Sequence, residues 1–474
     1  MFVGRKKELK YLEDNYKKQG NQLIVLYGHK GVGKTALMSR FVQGKPAAYY
    51  DAKPLGAEEQ LFMWNQEMDY GLSPEELSYD AIFQKMYVEG MTVLEEEAVR
   101  LKTIKEPSQL EEMRQMKRIL MIDEFQYIVK FSEKFMMELL RFIKEQDHRC
   151  MVVLCSSSIS FVENGLVPQI GTLAMGISSF FKVQPLNFVD CVHFFEEFTT
   201  EECMKTYNIL GGYPAYWDQF TTQMSIEGNI EHMILYSDVY LREEGERVVS
   251  AELREVNVYC TILYCLSHGM NKLNELHLHT GYSRAKISVY LKNLMERELV
   301  EKVFSFDNAS SANAKKGIYR IVGSYLDFYY RFLFGRTSKL NILGPKKFYE
   351  QYISKDLPAF YERQFQKICR EYMEILNLQK TLPIRAVLIG EWIGKEGTID
   401  LVLQDEDGTN ILCFCRWQEN HFTMEAYEKC LNTAASAKLN ADYLYLFSKG
   451  KFDPKLTALA ETMDNLALVD INSL

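Results

Sequence analysis

The sequence predicts an α/β protein: a parallel sheet wrapped by helices around a phosphate-binding loop, then a helical lid, a winged helix-turn-helix and a second α/β unit. Three observations carry that prediction. Residues 23–35 read LIVLYGHKGVGKT, an apolar run that enters a glycine-rich loop closed by Lys34 and Thr35. Strand–loop–helix units then alternate to about residue 190, the pattern of a parallel sheet with helical crossovers. From about residue 345 the same alternation restarts.

The loop has the G-x-x-x-x-G-K-[ST] spacing from Gly28 through His29, Lys30, Gly31, Val32 and Gly33 to Lys34, Thr35 and Ala36. Glycines let the backbone wrap phosphate oxygens with its N–H groups, and the helix that follows offers its positive end to the same anion. Lys34 would reach the β- and γ-phosphates, and the Thr35 hydroxyl would ligate Mg²⁺. His29 reads as a tolerated variable position within the loop. The ligand class is a nucleoside triphosphate.

Arg118–Glu124 (RILMIDE) is a short apolar strand ending in two acids. Asp123 would hold Mg²⁺ through water, and Glu124 would polarise the attacking water. A third strand, Met151–Cys155, exits into Ser156, Ser157 and Ser158, where Ser157 would sense the γ-phosphate or simply turn the chain. Between these strands, Glu75–Arg114 is acidic and helical in character. It reads as a solvated insert in preference to a substrate-facing element.

At 474 residues the chain holds several domains, and we expect boundaries at 1–190, 191–254, 255–340 and 341–474. The net charge of −9 excludes a general polyanion-binding surface, so any nucleic-acid contact needs a local basic patch. The ten cysteines are scattered without metal-ligand spacing, and no N-terminal signal sequence is present. They read as reduced thiols of a cytoplasmic protein. No apolar run is long enough to suggest a membrane span.

Residues 255–322 carry nine Lys/Arg and six Asp/Glu, a net of +3 within an acidic chain. Helices at Val256–Ser267 and Leu273–His279 precede a third helix capped by Ser283, and two strands (300–306 and 317–322) would form a wing. Arg284, Lys286 and Lys292 on the third helix, with Lys315 and Lys316 in the wing, would meet DNA phosphates. The alternative is a helical lid that packs on the first domain. The aromatic run YLDFYYRFLF reads as a buried domain junction. In the last unit, Glu362 and Asp400 would converge on a divalent metal if the strands pair in order.

FVGRKKEL, GHKGVGKT, ILMIDEFQYIV, VVLCSSSISFVE, KVQPL, GGYPAYW and the winged helix before YLDFYYRFLF together resemble the archaeal-type ATPase family. This is an AAA+/STAND-related group of P-loop NTPases. Its C-terminal domain is similar to nucleases of the PD-(D/E)XK, restriction-endonuclease-like fold. The resemblance implies ATP and Mg²⁺ as ligands. It also implies that Gly4 and Arg5 form a nucleotide-side box, and that Gly212 and Pro214 touch the adenine side from the lid. Two departures stand out. No arginine occurs between Arg149 and Arg242, where the family carries one. The Glu-x-Lys core expected after Asp400 reads Phe414-Cys415-Arg416, which points to an inactive nuclease relative, with Glu391 a weak substitute ligand. Three functions follow: an ATPase switch acting on DNA or a protein, an ATP-regulated nuclease, or a DNA-binding regulator with little hydrolysis. Partners would be DNA, another protein or a second copy.

Overall fold

The computed structural model describes residues 2–100, 107–146, 149–236, 238–308, 317–395, 397–417 and 421–472. Contacts divide the chain between Pro185 and Leu186 into two units. The first holds strands β1 (Gln22–Tyr27), β2 (Ala47–Asp51), β3 (Arg118–Asp123), β4 (Cys150–Ser156) and β5 (Ser179–Lys182). They form one sheet in the order β2-β3-β4-β1-β5, with every pair parallel. The near-continuous apolar runs of β1, β3 and β4 follow from burial on both faces. Leu23, Val25, Trp64, Phe83, Phe135 and Phe142 fill one side, while Leu12, Ile24, Leu26, Leu37 and Met38 fill the other.

Helix Tyr79–Arg100 corrects the reading of 75–114 as a solvated insert. It buries Tyr79, Ile82, Phe83, Met86, Met91 and Leu94 against the sheet, and only its outer face carries the acids. An acidic composition masked an apolar stripe of helical period. The strand order has a consequence for chemistry. β4 lies between β1 and β3, so its exit at Ser156–Ser158 sits between the glycine loop and the acidic tip of β3. Ligands of open parallel sheets bind at these carboxyl ends.

The second unit begins with short helices, among them Phe188–Phe194 and Thr200–Leu210, both opened by capping boxes. The turn Gly211–Gly212 follows. A Cβ on Gly212 would stand 1.9 Å from the Leu186 carbonyl oxygen, so only glycine fits there. Helices Val256–Ser267, Leu273–Thr280 and Arg284–Met295 precede the antiparallel hairpin β6 (Val300–Phe304) and β7 (Gly317–Ile321). The aromatic run is buried, with Phe328, Tyr330 and Phe332 at most 1% exposed.

The C-terminal part contributes the long helix Leu357–Gln379 and strands β8 (Leu388–Ile393), β9 (Thr398–Gln404) and β10 (Asn410–Arg416). Short strands β11 (His421–Phe422) and β13 (Lys451–Phe452) pair with each other, while β12 (Tyr443–Ser448) and β14 (Leu466–Asp470) complete the main sheet. Its order is β14-β12-β10-β9-β8, antiparallel from β8 to β10 and parallel beyond. All ten cysteines are buried free thiols. No described helix is long and apolar enough to cross a membrane.

Candidate nucleotide site

The glycine loop leaves β1 at Gly28, whose N–H donates to the Ser156 carbonyl at 3.2 Å. A Cβ at Gly28 would lie 2.4 Å from the Val183 carbonyl oxygen, so the loop and the segment after β5 approach too closely for any side chain. Gly31 and Gly33 take φ values of 80° and 94°, a region that glycine enters without strain. Val32 is fully buried and pins the loop to the core, while Lys30 and Ala36 are exposed. Lys34 Nζ donates to the Gly28 and His29 carbonyls at 2.8 and 3.2 Å.

Arg5 is 6% exposed and spends its guanidinium on the protein: Val32 O and Gln184 O each accept at 2.7 Å, and Glu8 pairs at 2.8 Å. It therefore braces the loop backbone from behind, with Gly4 beside it in a positive-φ conformation. These bonds hold the Arg5 guanidinium against the backbone of the loop.

At the tip of β3, Asp123 is 6% exposed. Its Oδ2 accepts from the Thr35 hydroxyl at 3.0 Å and from the Tyr49 hydroxyl at 3.2 Å, and its Oδ1 accepts from the Glu124 N–H at 2.9 Å. Burial and the Glu124 charge raise the Asp123 carboxyl above its ordinary pKa. Glu124 adopts φ 50°, a left-handed conformation that turns its side chain toward the exit of β4. There Oε2 accepts from the Ser157 hydroxyl at 2.7 Å, from the Ser157 N–H at 3.2 Å and from Gln126 Nε2.

Burial lowers the Lys34 pKa, opposed by the Glu124 and Asp123 charges. His29 is held down to about 4 by burial and by Lys182 and Lys34, so its imidazole is neutral at neutral pH. The structure thus gathers Lys34, Thr35, Asp123, Glu124 and Ser157 around one strand end. Tyr49 and Gln126 join them without any sequence signal beyond their place near a strand tip. These residues fit a magnesium–triphosphate pair. The buried Asp123 and the half-buried Glu124 act on a buried lysine, the loop offers backbone N–H groups, and the Thr35 hydroxyl bonds to Asp123. Gly212 and Pro214 belong to the second unit, where Gly212 packs on Leu186 and Pro214 starts a short helix.

Helix Arg284–Met295 exposes the basic side chains expected of it. Arg284 donates to Asn274 Oδ1 at 2.6 Å, Lys286 lies over the Tyr282 and Tyr290 rings, and Lys292 is 3.7 Å from Glu296. Lys315 and Lys316 lie outside the described residues. The hairpin strands bond to the C-terminal part of the chain. Arg320 on β7 makes a two-pronged bond to Glu391 on β8 at 2.6 and 2.7 Å, and the Ser305 hydroxyl accepts from the Ile393 N–H at 3.0 Å. Glu391 is therefore occupied and does not substitute as a metal ligand.

Glu362, Asp400 and Arg416 do come together, but not as a metal cage. Glu362 Oε2 accepts from the Trp417 N–H at 2.6 Å, and Asp400 Oδ2 accepts from the Cys415 N–H at 2.8 Å. Arg416 Nη1 lies 3.4 Å from Asp400 Oδ2 and sets its own positive charge beside that carboxylate. Phe414 is 1% exposed within the apolar core, so the third carboxylate is missing. Burial pushes Asp400 up to about 6. Among the described residues no cluster of three His, Cys, Asp or Glu side chains is placed to hold a metal.

Comparison with known proteins gives two family matches. Residues 2–220 match an ATPase domain found predominantly in Archaea, and residues 329–429 match archaeal and bacterial proteins of unknown function. An uncharacterized protein of Methanocaldococcus jannaschii is 24% identical over 422 residues, 88% of each chain. An uncharacterized ATP-binding protein of the same organism is 47% identical over 45 residues, 10% of this chain and 76% of that one. Among solved structures, the Walker-type ATPase of Pyrococcus abyssi aligns with a TM-score of 0.44 at 16% identity, covering 70% of this chain and 96% of that one. The ORC2 protein of Aeropyrum pernix gives 0.39 at 13% identity, covering 67% and 89%. Through its glycine loop, its acidic strand tip and the match over residues 2–220, the chain belongs to the archaeal ATPase-domain family as an ATP-binding protein.

Proposed function

We propose that the protein is a Mg²⁺-dependent ATPase whose nucleotide state switches the output of its winged-helix unit on DNA. The observation that carries this reading is the convergence of Lys34, Thr35, Asp123, Glu124 and Ser157 at the ends of three adjacent strands. Backbone N–H groups of the loop after Gly28 would cradle the phosphates, and Lys34 would exchange its loop carbonyls for phosphate oxygens. Thr35 and Asp123 would hold Mg²⁺, which would supply positive charge against the phosphates. Glu124 holds the attacking water in line with the γ-phosphorus once it leaves Ser157, and Ser157 is then free to donate to the γ-phosphate.

A second reading has specific support: a DNA-binding regulator in which ATP binds and turns over slowly. Glu124 is engaged by both Ser157 and Gln126, and no arginine lies between Arg149 and Arg242 to neutralise transition-state charge. Such an arginine is worth on the order of 10³–10⁵ in rate where it acts. The nuclease reading is disfavoured by Phe414 and Arg416.

Steady-state ATP turnover with Mg²⁺, for native protein and Lys34→Ala, tests the proposal with and without duplex DNA. Turnover that is lost in the variant and changed by DNA is the expected result. Equal rates in native and variant protein would sink the ATPase assignment. Nucleotide-dependent thermal stabilisation without turnover would leave the regulator.

A further inference from the structure

We propose that the kinked segment around Arg336–Lys347 is a second DNA-contact element, gripping the duplex backbone with three lysines and placing Ile342 as a wedge in the groove. The proposal rests on the DNA-facing reading of the second unit. It extends that reading to a segment outside the winged helix.

From Phe328 to Tyr349 the chain carries Arg331, Arg336, Lys339, Lys346 and Lys347 and no acidic residue. In a protein of net charge −9 this is a local reversal of sign. The two arginines hold the base of the element. Arg331 donates to Ser267 O at 3.2 Å, and Arg336 donates to Arg331 O and Phe332 O at 2.8 and 3.1 Å. The three lysines are exposed, and none of them has a hydrogen-bond or ion-pair partner among the described residues.

Geometry turns this charge into a display. Helix Thr337–Tyr352 is broken at Gly344, where φ 76° and ψ 164° leave the helical region, and Pro345 starts the second half. Leu340 anchors the first half at 3% exposure, and Phe348 anchors the second at 0%. Asn341 Oδ1 accepts from Arg242 Nη2 at 2.6 Å, which fixes the corner from outside. The corner is therefore built on packed residues at both ends. It presents Ile342, 79% exposed, with Lys339 one turn before it and Lys346 and Lys347 beyond the kink.

An isolated exposed aliphatic side chain among unpaired cations matches duplex DNA better than other polyanionic surfaces. Apolar wedges of this kind insert between base steps while flanking cations neutralise phosphates. A bilayer surface asks for a broad apolar helix face, and here Leu340 is turned into the core.

The test uses the full chain and a fluorescein-labelled 30-base-pair duplex in fluorescence anisotropy over a salt series. The Lys339→Ala/Lys346→Ala/Lys347→Ala triple variant should bind about tenfold or more weakly, with the log–log salt slope reduced by up to about 3. Ile342→Ala should keep the slope and reduce duplex bending, read by energy transfer between the duplex ends. An Arg284→Ala/Lys286→Ala/Lys292→Ala variant separates the two claims. If it weakens binding while the lysine triple variant binds like native protein, this inference fails and the winged-helix reading stands. If native protein does not bind duplex at low salt, the DNA reading fails and takes the inference with it. Lysine-dependent binding to anionic phosphatidylserine vesicles, without binding to duplex, overturns the proposal in favour of a membrane surface. All substituted side chains are exposed, so thermal midpoints should stay at the native value.

Discussion

Two places in this molecule set a pair of carboxylates beside a cation next to a sheet, and they hold those acids in opposite ways. At the phosphate loop, Asp123 and Glu124 are held largely by side-chain donors: Thr35, Tyr49, Ser157 and Gln126. Hydroxyls and amides rotate, so each bond can be exchanged for a metal, a water or a phosphate. In the C-terminal sheet, Asp400 and Glu362 cap the backbone N–H groups of Cys415 and Trp417, and Arg416 adds a permanent charge. Backbone donors in β10 and directly after it cannot swing away without moving the strand. What separates the two sites is the mobility of the groups that hold the acids.

The largest expected effect follows from that contrast. Glu124→Gln should lower ATP turnover on the order of 10²–10⁴-fold while nucleotide still raises the thermal midpoint. Asp400→Asn should leave turnover unchanged. Comparable losses in both variants would break the distinction between the two sites.

The next effect is on stability. Phe414→Glu rebuilds the acidic pattern on paper, but it places a carboxylate among Val402, Leu412 and Phe422. We expect a loss on the order of 4 kcal/mol in denaturant unfolding and no Mn²⁺-dependent cleavage of duplex DNA. Cleavage by this variant would show that Arg416 and the backbone caps yield to metal after all. Gly212→Ala, which must fit a methyl group 1.9 Å from a carbonyl oxygen, should cost about 2–3 kcal/mol.

The same contrast explains what the sequence disclosed. The glycine loop was readable because its chemistry is local: eight residues in order supply the turn, the lysine and the hydroxyl. The strand tip at Asp123–Glu124 was readable for the same reason. Tyr49 and Gln126 were not, because their roles arise from strand order and a left-handed turn at Glu124. Helix Tyr79–Arg100 is hidden in composition because its acids (Glu89, Glu95, Glu96, Glu97) draw the eye from an apolar stripe that only helical spacing reveals. The docked wing was invisible, since Arg320 and Glu391 meet across 71 positions. Gly212 and Pro214 were legible as a turn, but any contact with a nucleotide was argued only from resemblance.

The smallest effect, and the finest probe of the second unit, is a pH dependence. Glu371 on the long helix accepts from the Phe188 N–H at 2.8 Å and the Tyr207 hydroxyl at 2.6 Å, so it ties that helix to the start of the lid helices. Burial, with a contribution from Glu374 and opposed by Lys367, pushes its carboxyl up to about 7. A pKa raised on folding means that the folded state favours the protonated acid. The contribution is fully present below the unfolded value of 4.5 and is lost as pH rises through about 7. Asp400, raised to about 6, acts with the same sign over a lower range. Thermal midpoints should therefore fall between pH 5 and pH 8. Glu371→Gln, which stays neutral and keeps one of the two acceptor oxygens while its amide N–H₂ can only donate, should remove the part of the fall between pH 6 and pH 8, on the order of 1–2 kcal/mol. An unchanged profile in that variant would assign the titration to other groups and leave the Glu371 contact a plain hydrogen-bonded clamp.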